Sequence, residues 1–144
     1  MECRGMDVLV VDDSPVMRRY IARTLEMTGV EVRILEASNG REALEKASGR
    51  RPGLIITDLN MPEMTGDELV ARIAADPALG GTPILVLSSD RSSARPGELL
   101  HAGAVAYMTK PVSPEALRHQ LMRIMAQKIF PLEEGGAGET GSAV

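Results

Sequence analysis

The residues best suited to chemistry stand directly after short apolar runs. Asp12 and Asp13 follow DVLVV, Asp58 follows LIIT, and Ser88, Ser89 and Asp90 follow PILVL. Lys110 and Pro111 lie one residue beyond AVAYM. If these runs are strands of one sheet, three carboxylates, a hydroxyl and an ammonium share a single crevice. Three carboxylates at close quarters repel one another and resist joint ionisation. A hard divalent cation relieves that conflict, and an oxygen-only donor set suits Mg²⁺. Asp58 is then placed as a carboxylate nucleophile on the acyl-phosphate route. Ser88 has a hydrogen bond to offer a phosphoryl oxygen, and Lys110 a charge to neutralise another. Taken singly, each residue has an ordinary explanation: a polar turn for the Asp pair, a helix cap for Ser88, a common dipeptide for Lys-Pro. Their joint placement after four of the five apolar runs is what those explanations leave out.

The elements that must position these residues alternate between two textures. Short β-branched runs at 7–11, 31–36, 54–57, 83–87 and 104–108 read as strands, and three of them are nearly continuous. That texture suits parallel strands buried on both faces. Helical segments lie between them. Ser14 is an N-cap with Pro15 at the first helical position. Val16, Met17, Tyr20, Ile21 and Leu25 then recur at helical spacing, and Gly29 closes the segment. Asn39 caps a second helix through Ala47, with Gly49 ending it. Thr65 to Ala75 gives a third, with Leu69, Val70 and Ile73 on one side. A fourth falls between Ser92 and Ala102. Ser113 and Pro114 open a fifth, carried by Leu117, Leu121, Ile124 and Met125 to about Lys128. Five strand–helix units with short connections imply an open α/β sheet with helices on both faces. In such sheets function gathers at the carboxyl ends of the strands.

Composition bounds the rest. The 144 residues suit one domain, expected over 1–130. Sixteen Lys and Arg against twenty Asp and Glu give a net charge of −4, which argues against a generally basic nucleic-acid surface. Two Tyr, one Phe and no Trp leave little for base stacking. A single cysteine, Cys3, excludes an internal disulfide and fits a reducing cytoplasm. No apolar run is long enough to span a bilayer, and MECRGMD has no apolar core for a secretory signal. Residues 131–144 hold four Gly, three Glu and no Lys or Arg, and read as a disordered acidic tail.

Four stretches together resemble a known family: VLVVDDSPVMR (8–18), LIITDLNMPEMTGDEL (54–69), PILVLSS (83–89) and GAVAYMTKP (103–111). The chain resembles the receiver domain of bacterial two-component response regulators over about residues 6–128. The resemblance implies a flavodoxin-like (βα)₅ fold with a parallel sheet in order 2-1-3-4-5. It further implies that Asp58 is the phosphoacceptor. Asp12 and Asp13 match the acidic pair that holds Mg²⁺, with Asn60 adding a backbone carbonyl. Ser88 matches the hydroxyl residue that follows the phosphoryl group, Lys110 its cationic partner, and Tyr107 the switch aromatic. Asn60 and Asp90 occupy the positions that modulate loss of the phosphoryl group, and Lys110–Pro111 matches a bond the family makes cis.

The implied function is a phosphorylation switch. A sensor histidine kinase or phosphotransfer protein supplies the phosphoryl group, and the signal passes by binding a target protein. Only about fifteen residues follow the last helix, so a separate DNA-binding domain is not expected. Chemotaxis is the pathway type most similar over the first strand and helix; a phosphorelay intermediate or phosphate sink is the alternative. Apart from its own phosphorylation and dephosphorylation, no enzymatic turnover is expected. A flavodoxin-like cofactor site fits poorly, because Asp12 and Asp13 stand where a phosphate would sit. An aspartate-nucleophile phosphohydrolase fits poorly too, because DxD after the first strand is missing. Other residues are read as structural: Gly66 as a tight bend, Met17 as an exposed contact, His101 and His119 as surface or packing residues. Arg18, Arg19 and Arg23 are read as a solvated helix face. Pro96 and Gly97 weaken the fourth helix.

Overall fold

A computed structural model describes residues 6–88 and 103–129. The fourth helical segment, with Asp90, Pro96, Gly97 and His101, lies outside the described residues, as does the acidic tail. Five parallel strands form one sheet in the order β2-β1-β3-β4-β5. They are β1 (Met6–Val11), β2 (Val32–Ala37), β3 (Leu54–Asp58), β4 (Ile84–Ser88) and β5 (Ala106–Thr109). The described helices are α1 (Pro15–Met27), α2 (Gly40–Arg50), α3 (Gly66–Ala75) and a C-terminal helix (Pro114–Ile129).

Strand alternation sends successive side chains to opposite faces, and each face receives two of the described helices. Leu9, Val11, Ile55 and Val86 face α2 and α3, where they meet Ala43, Ala47, Leu69, Val70 and Ile73. Val8, Val10, Leu54, Ile56, Leu85 and Leu87 face the other way, against Ile21 and Leu25 of α1 and Leu117, Leu121 and Ile124 of the C-terminal helix. Every residue of β3 and β4 is buried, which is why these runs read as continuous rather than alternating.

The helix starts follow local chemistry. Ser14 Oγ accepts from Met17 N, Asn39 Oδ1 from Glu42 N, and Ser113 Oγ from Ala116 N. Thr65 forms a reciprocal capping box with Glu68. Gly29 takes a left-handed φ of 79° just after α1, as its position predicts.

Two expectations are corrected. The second helix does not stop before Gly49; it continues to Arg50, and Arg51 adopts the left-handed cap at φ 51°. Gly49 is exposed and costs only about 1 kcal/mol inside a helix, so it does not terminate one. Gly66 is not a bend either. It is the first residue of α3, and the left-handed residue of that loop is Glu63 at φ 72°. What requires glycine at 66 is close approach: a Cβ there would lie 2.5 Å from Asp58 O and 2.8 Å from Leu59 Cα.

Candidate functional site

The strand registers bring the chemistry to one level. Val11 pairs with Thr57, so Asp12 and Asp58, the next residues, emerge side by side from adjacent strands. Asp58 pairs with Leu87, and Ser88 with Thr109, so Lys110 follows at the same edge. Backbone bonds continue the sheet past its last pairs: Leu59 N donates to Leu87 O, and Lys110 N to Ser88 O, both at 2.8 Å. The strand order reverses between β2 and β3 about β1, so the crevice opens where Asp12 and Asp58 sit.

Within it, one carboxylate oxygen from each of Asp12, Asp13 and Asp58 lies within 4.8 Å of the others. Asp12 and Asp58 are buried and Asp13 is exposed, so the cluster is a well with one wet side. The Lys110 ammonium donates to Asp58 Oδ1 at 3.0 Å and to Asp12 Oδ2 at 3.2 Å. Asp12 Oδ1 accepts from Ser14 N at 2.9 Å, at the entrance to α1, where the helix dipole favours a negative charge. Burial pushes the Asp58 carboxyl above its ordinary value of 3.8; Lys110 pulls it back, and Asp12 and Asp13 push it further up. Burial opposes the Lys110 charge, but Asp58 and Asp12 outweigh it and hold the ammonium above its ordinary value. One lysine therefore leaves three converging carboxylates under-compensated. Their oxygen-only character fits a hard divalent cation.

The remaining sequence candidates stand around this well. Ser88 is fully buried at the end of β4. Asn60 is exposed, two residues past Asp58. Tyr107 packs against the α2–α3 side of the core, and its buried hydroxyl has no hydrogen-bond partner among the described residues. The Lys110–Pro111 bond is cis. Met17 is half-buried rather than fully exposed, lining a 450 Å³ hollow with Tyr20, Lys110 and Pro111. His119 is exposed, as are Arg19 and Arg23.

Two residues at the site escaped sequence reasoning. Arg18 is not solvated: its side chain is only 16% exposed, and its guanidinium bonds Asp12 O at 2.6 Å and Glu36 Oε1 at 2.7 Å. Tyr20 is more than an apolar helix position. Its hydroxyl accepts from Val112 N at 2.8 Å and donates to Val112 O at 3.1 Å, tying α1 to the chain just after Lys110–Pro111. Glu36 and Val112 are distant in sequence from them, so no local pattern announces these contacts.

Comparison with known proteins agrees with the fold. A model of the response regulator receiver domain family matches residues 8–122. The chemotaxis protein CheY1 of Helicobacter pylori is 41% identical over 117 residues, covering 81% of this chain and 94% of that one. The chemotaxis protein CheY homolog of Campylobacter jejuni is 37% identical over 121 residues, covering 83% and 92%. Among solved structures, the chemotaxis response regulator CheY4 of Vibrio cholerae superposes with a TM-score of 0.71 at 39% identity, covering 85% of this chain and 99% of that one.

Proposed function

The chain belongs to the response regulator receiver domain family, and on that premise we propose that Asp58 accepts a phosphoryl group from a phosphohistidine on a sensor kinase or phosphotransfer protein. The observation that carries this reading is the convergence of the Asp12, Asp13 and Asp58 carboxylates with the Lys110 ammonium at 3.0 Å from Asp58. A carboxylate oxygen of Asp58 attacks phosphorus, the P–N bond breaks, and the electron pair leaves with the imidazole. Lys110, already beside that oxygen, turns its charge to the phosphoryl oxygens. Ser88 supplies a hydroxyl from the neighbouring strand end. Asp12, Asp13, Asp58 and the backbone carbonyl of Asn60 are the residues that would hold Mg²⁺. When bound, the ion neutralises carboxylate and phosphoryl oxygens together.

Phosphorylation adds charge and acceptor oxygens at Asp58. Ser88 moves toward them, Tyr107, whose hydroxyl is already buried, repacks into the space vacated, and the surface around β5 changes for a partner protein. Asn60 and Asp90 orient the water that removes the phosphoryl group. The chemotaxis proteins among the relatives favour a chemotaxis pathway in the cytoplasm. No helix among the described residues is long and apolar enough to cross a membrane.

Acetyl phosphate with Mg²⁺ tests the site. The wild type should gain one phosphoryl mass, lost on treatment with EDTA during labelling, and Asp58→Asn should gain none. Undiminished labelling of Asp58→Asn would refute the assignment.

A further inference from the structure

Arg18 lies at the back of the acidic well, and its contacts are of two kinds. Its Nη1 donates to the carbonyl oxygen of Asp12 at 2.6 Å, and its Nε to Glu36 at 2.7 Å. The Asp12 amide in turn donates to Ala37 O at 3.1 Å. The carbonyl that Arg18 holds belongs to the Asp12–Asp13 peptide and the amide that β2 holds to the preceding Val11–Asp12 peptide, so the backbone is tied down on both sides of the Asp12 Cα. The Asp12 carboxylate has its own restraints, Ser14 N on one oxygen and Lys110 on the other. Asp13 is exposed, and the orientation of this peptide sets the direction in which its side chain leaves the chain.

On the reading that this well holds Mg²⁺, we infer that Arg18 is a positioning residue for the cation site, clamping the Asp12–Asp13 peptide to β2 through Glu36. The arrangement is counterintuitive on charge alone, since a cation beside the well repels an incoming cation. Glu36 answers that objection: it pairs with the guanidinium and offsets its charge, leaving the geometric effect in command. Glu36 is half exposed, so its pairing is weaker than the carbonyl contact, but it still aims the guanidinium, whose side chain is mostly buried. Arginine suits this place better than lysine, because a planar fork serves two acceptors that a point charge serves poorly together. Groups that orient metal ligands from behind typically change affinity by about 10–100-fold when removed.

The test is calorimetric titration of Mg²⁺ alone into wild type, Arg18→Met, Arg18→Lys and Glu36→Gln, with thermal melts in EDTA alongside. Arg18→Met keeps the stem and removes the fork; it should weaken Mg²⁺ binding by about tenfold in a protein that the melts show to be folded. Arg18→Lys should weaken it less, and Glu36→Gln least. Unchanged or tighter Mg²⁺ binding by Arg18→Met would overturn the inference, tighter binding meaning that charge repulsion dominates. Should Arg18→Met fail to fold, Arg18→Lys decides: affinity equal to wild type overturns the inference. Asp13→Asn is the control for the well itself. If wild type and Asp13→Asn take up Mg²⁺ alike, the metal reading falls and the role of Arg18 with it.

Discussion

Asp58 and Gly66 show how single residues were and were not legible. Asp58 could be found because its type is unusual after a buried strand and because four such ends agree. Gly66 was read as a tight bend; what requires it is the crowding backbone of Asp58 and Leu59, which sequence spacing does not reveal. The same limit applies to Arg18, whose partner Glu36 lies on another element. The crowding makes a prediction. In Gly66→Ala the new methyl group meets backbone, which cannot rotate aside, so α3 or the end of β3 must shift. The expected cost is about 1–3 kcal/mol of stability, measured by urea unfolding. Because the end of β3 carries Asp58, labelling by acetyl phosphate should slow as well. An alanine variant with wild-type stability and labelling would show that α3 adjusts freely.

At the scale of elements, the starts of helices were readable and one end was not. Ser14, Asn39, Thr65 and Ser113 cap through contacts three residues away, which sequence displays directly. The end of α2 depends on where Arg51 can turn, and the exposed Gly49 gave a false stop. The start of α2 also carries a pH dependence. Glu42 accepts from Ser38 N at 2.7 Å and Ser38 Oγ at 2.8 Å, so the residue just before the cap is bound to the first turn. The Ser38 backbone bond, then its hydroxyl and the nearby Lys46, hold the Glu42 carboxyl below its ordinary value of 4.5. A group depressed in the folded state contributes stability above its unfolded value and loses it as pH falls through the folded one. Glu42→Gln should therefore be less stable than wild type at neutral pH, by about a few tenths of a kcal/mol, since the carboxylate is more than a third exposed and screened by solvent. The difference should fade as pH drops below 4.5. A difference that persists at the acid end would point to packing rather than charge.

At the scale of the molecule, the alternation of strands and helices was legible because parallel strands buried on both faces leave a continuous apolar texture. The order of strands was not in that texture; it came with the resemblance, and the sheet bears it out. The order matters because it places β1 beside β3 and gathers carboxylates that no folded protein would hold together for stability's sake. Among the described residues three acidic groups share one lysine, and burial, with Asp12 and Asp13 close by, raises the Asp58 carboxyl above its ordinary value. The whole domain should therefore be strained by its own site while metal-free. Asp58→Asn, which keeps the shape and removes one charge, should melt a few degrees above wild type in EDTA; about 1 kcal/mol moves the midpoint by roughly 3 °C in a chain of this size. Mg²⁺ should then raise wild type by mass action, by about 2.7 kcal/mol at a hundredfold excess over its dissociation constant. The variant has lost one ligand and should respond less, so the gap between the two closes or reverses as Mg²⁺ is added. Scanning calorimetry across a Mg²⁺ series reads both effects. If Asp58→Asn melts below wild type in EDTA, the lysine already compensates the well, and the cation is not what the cluster lacks.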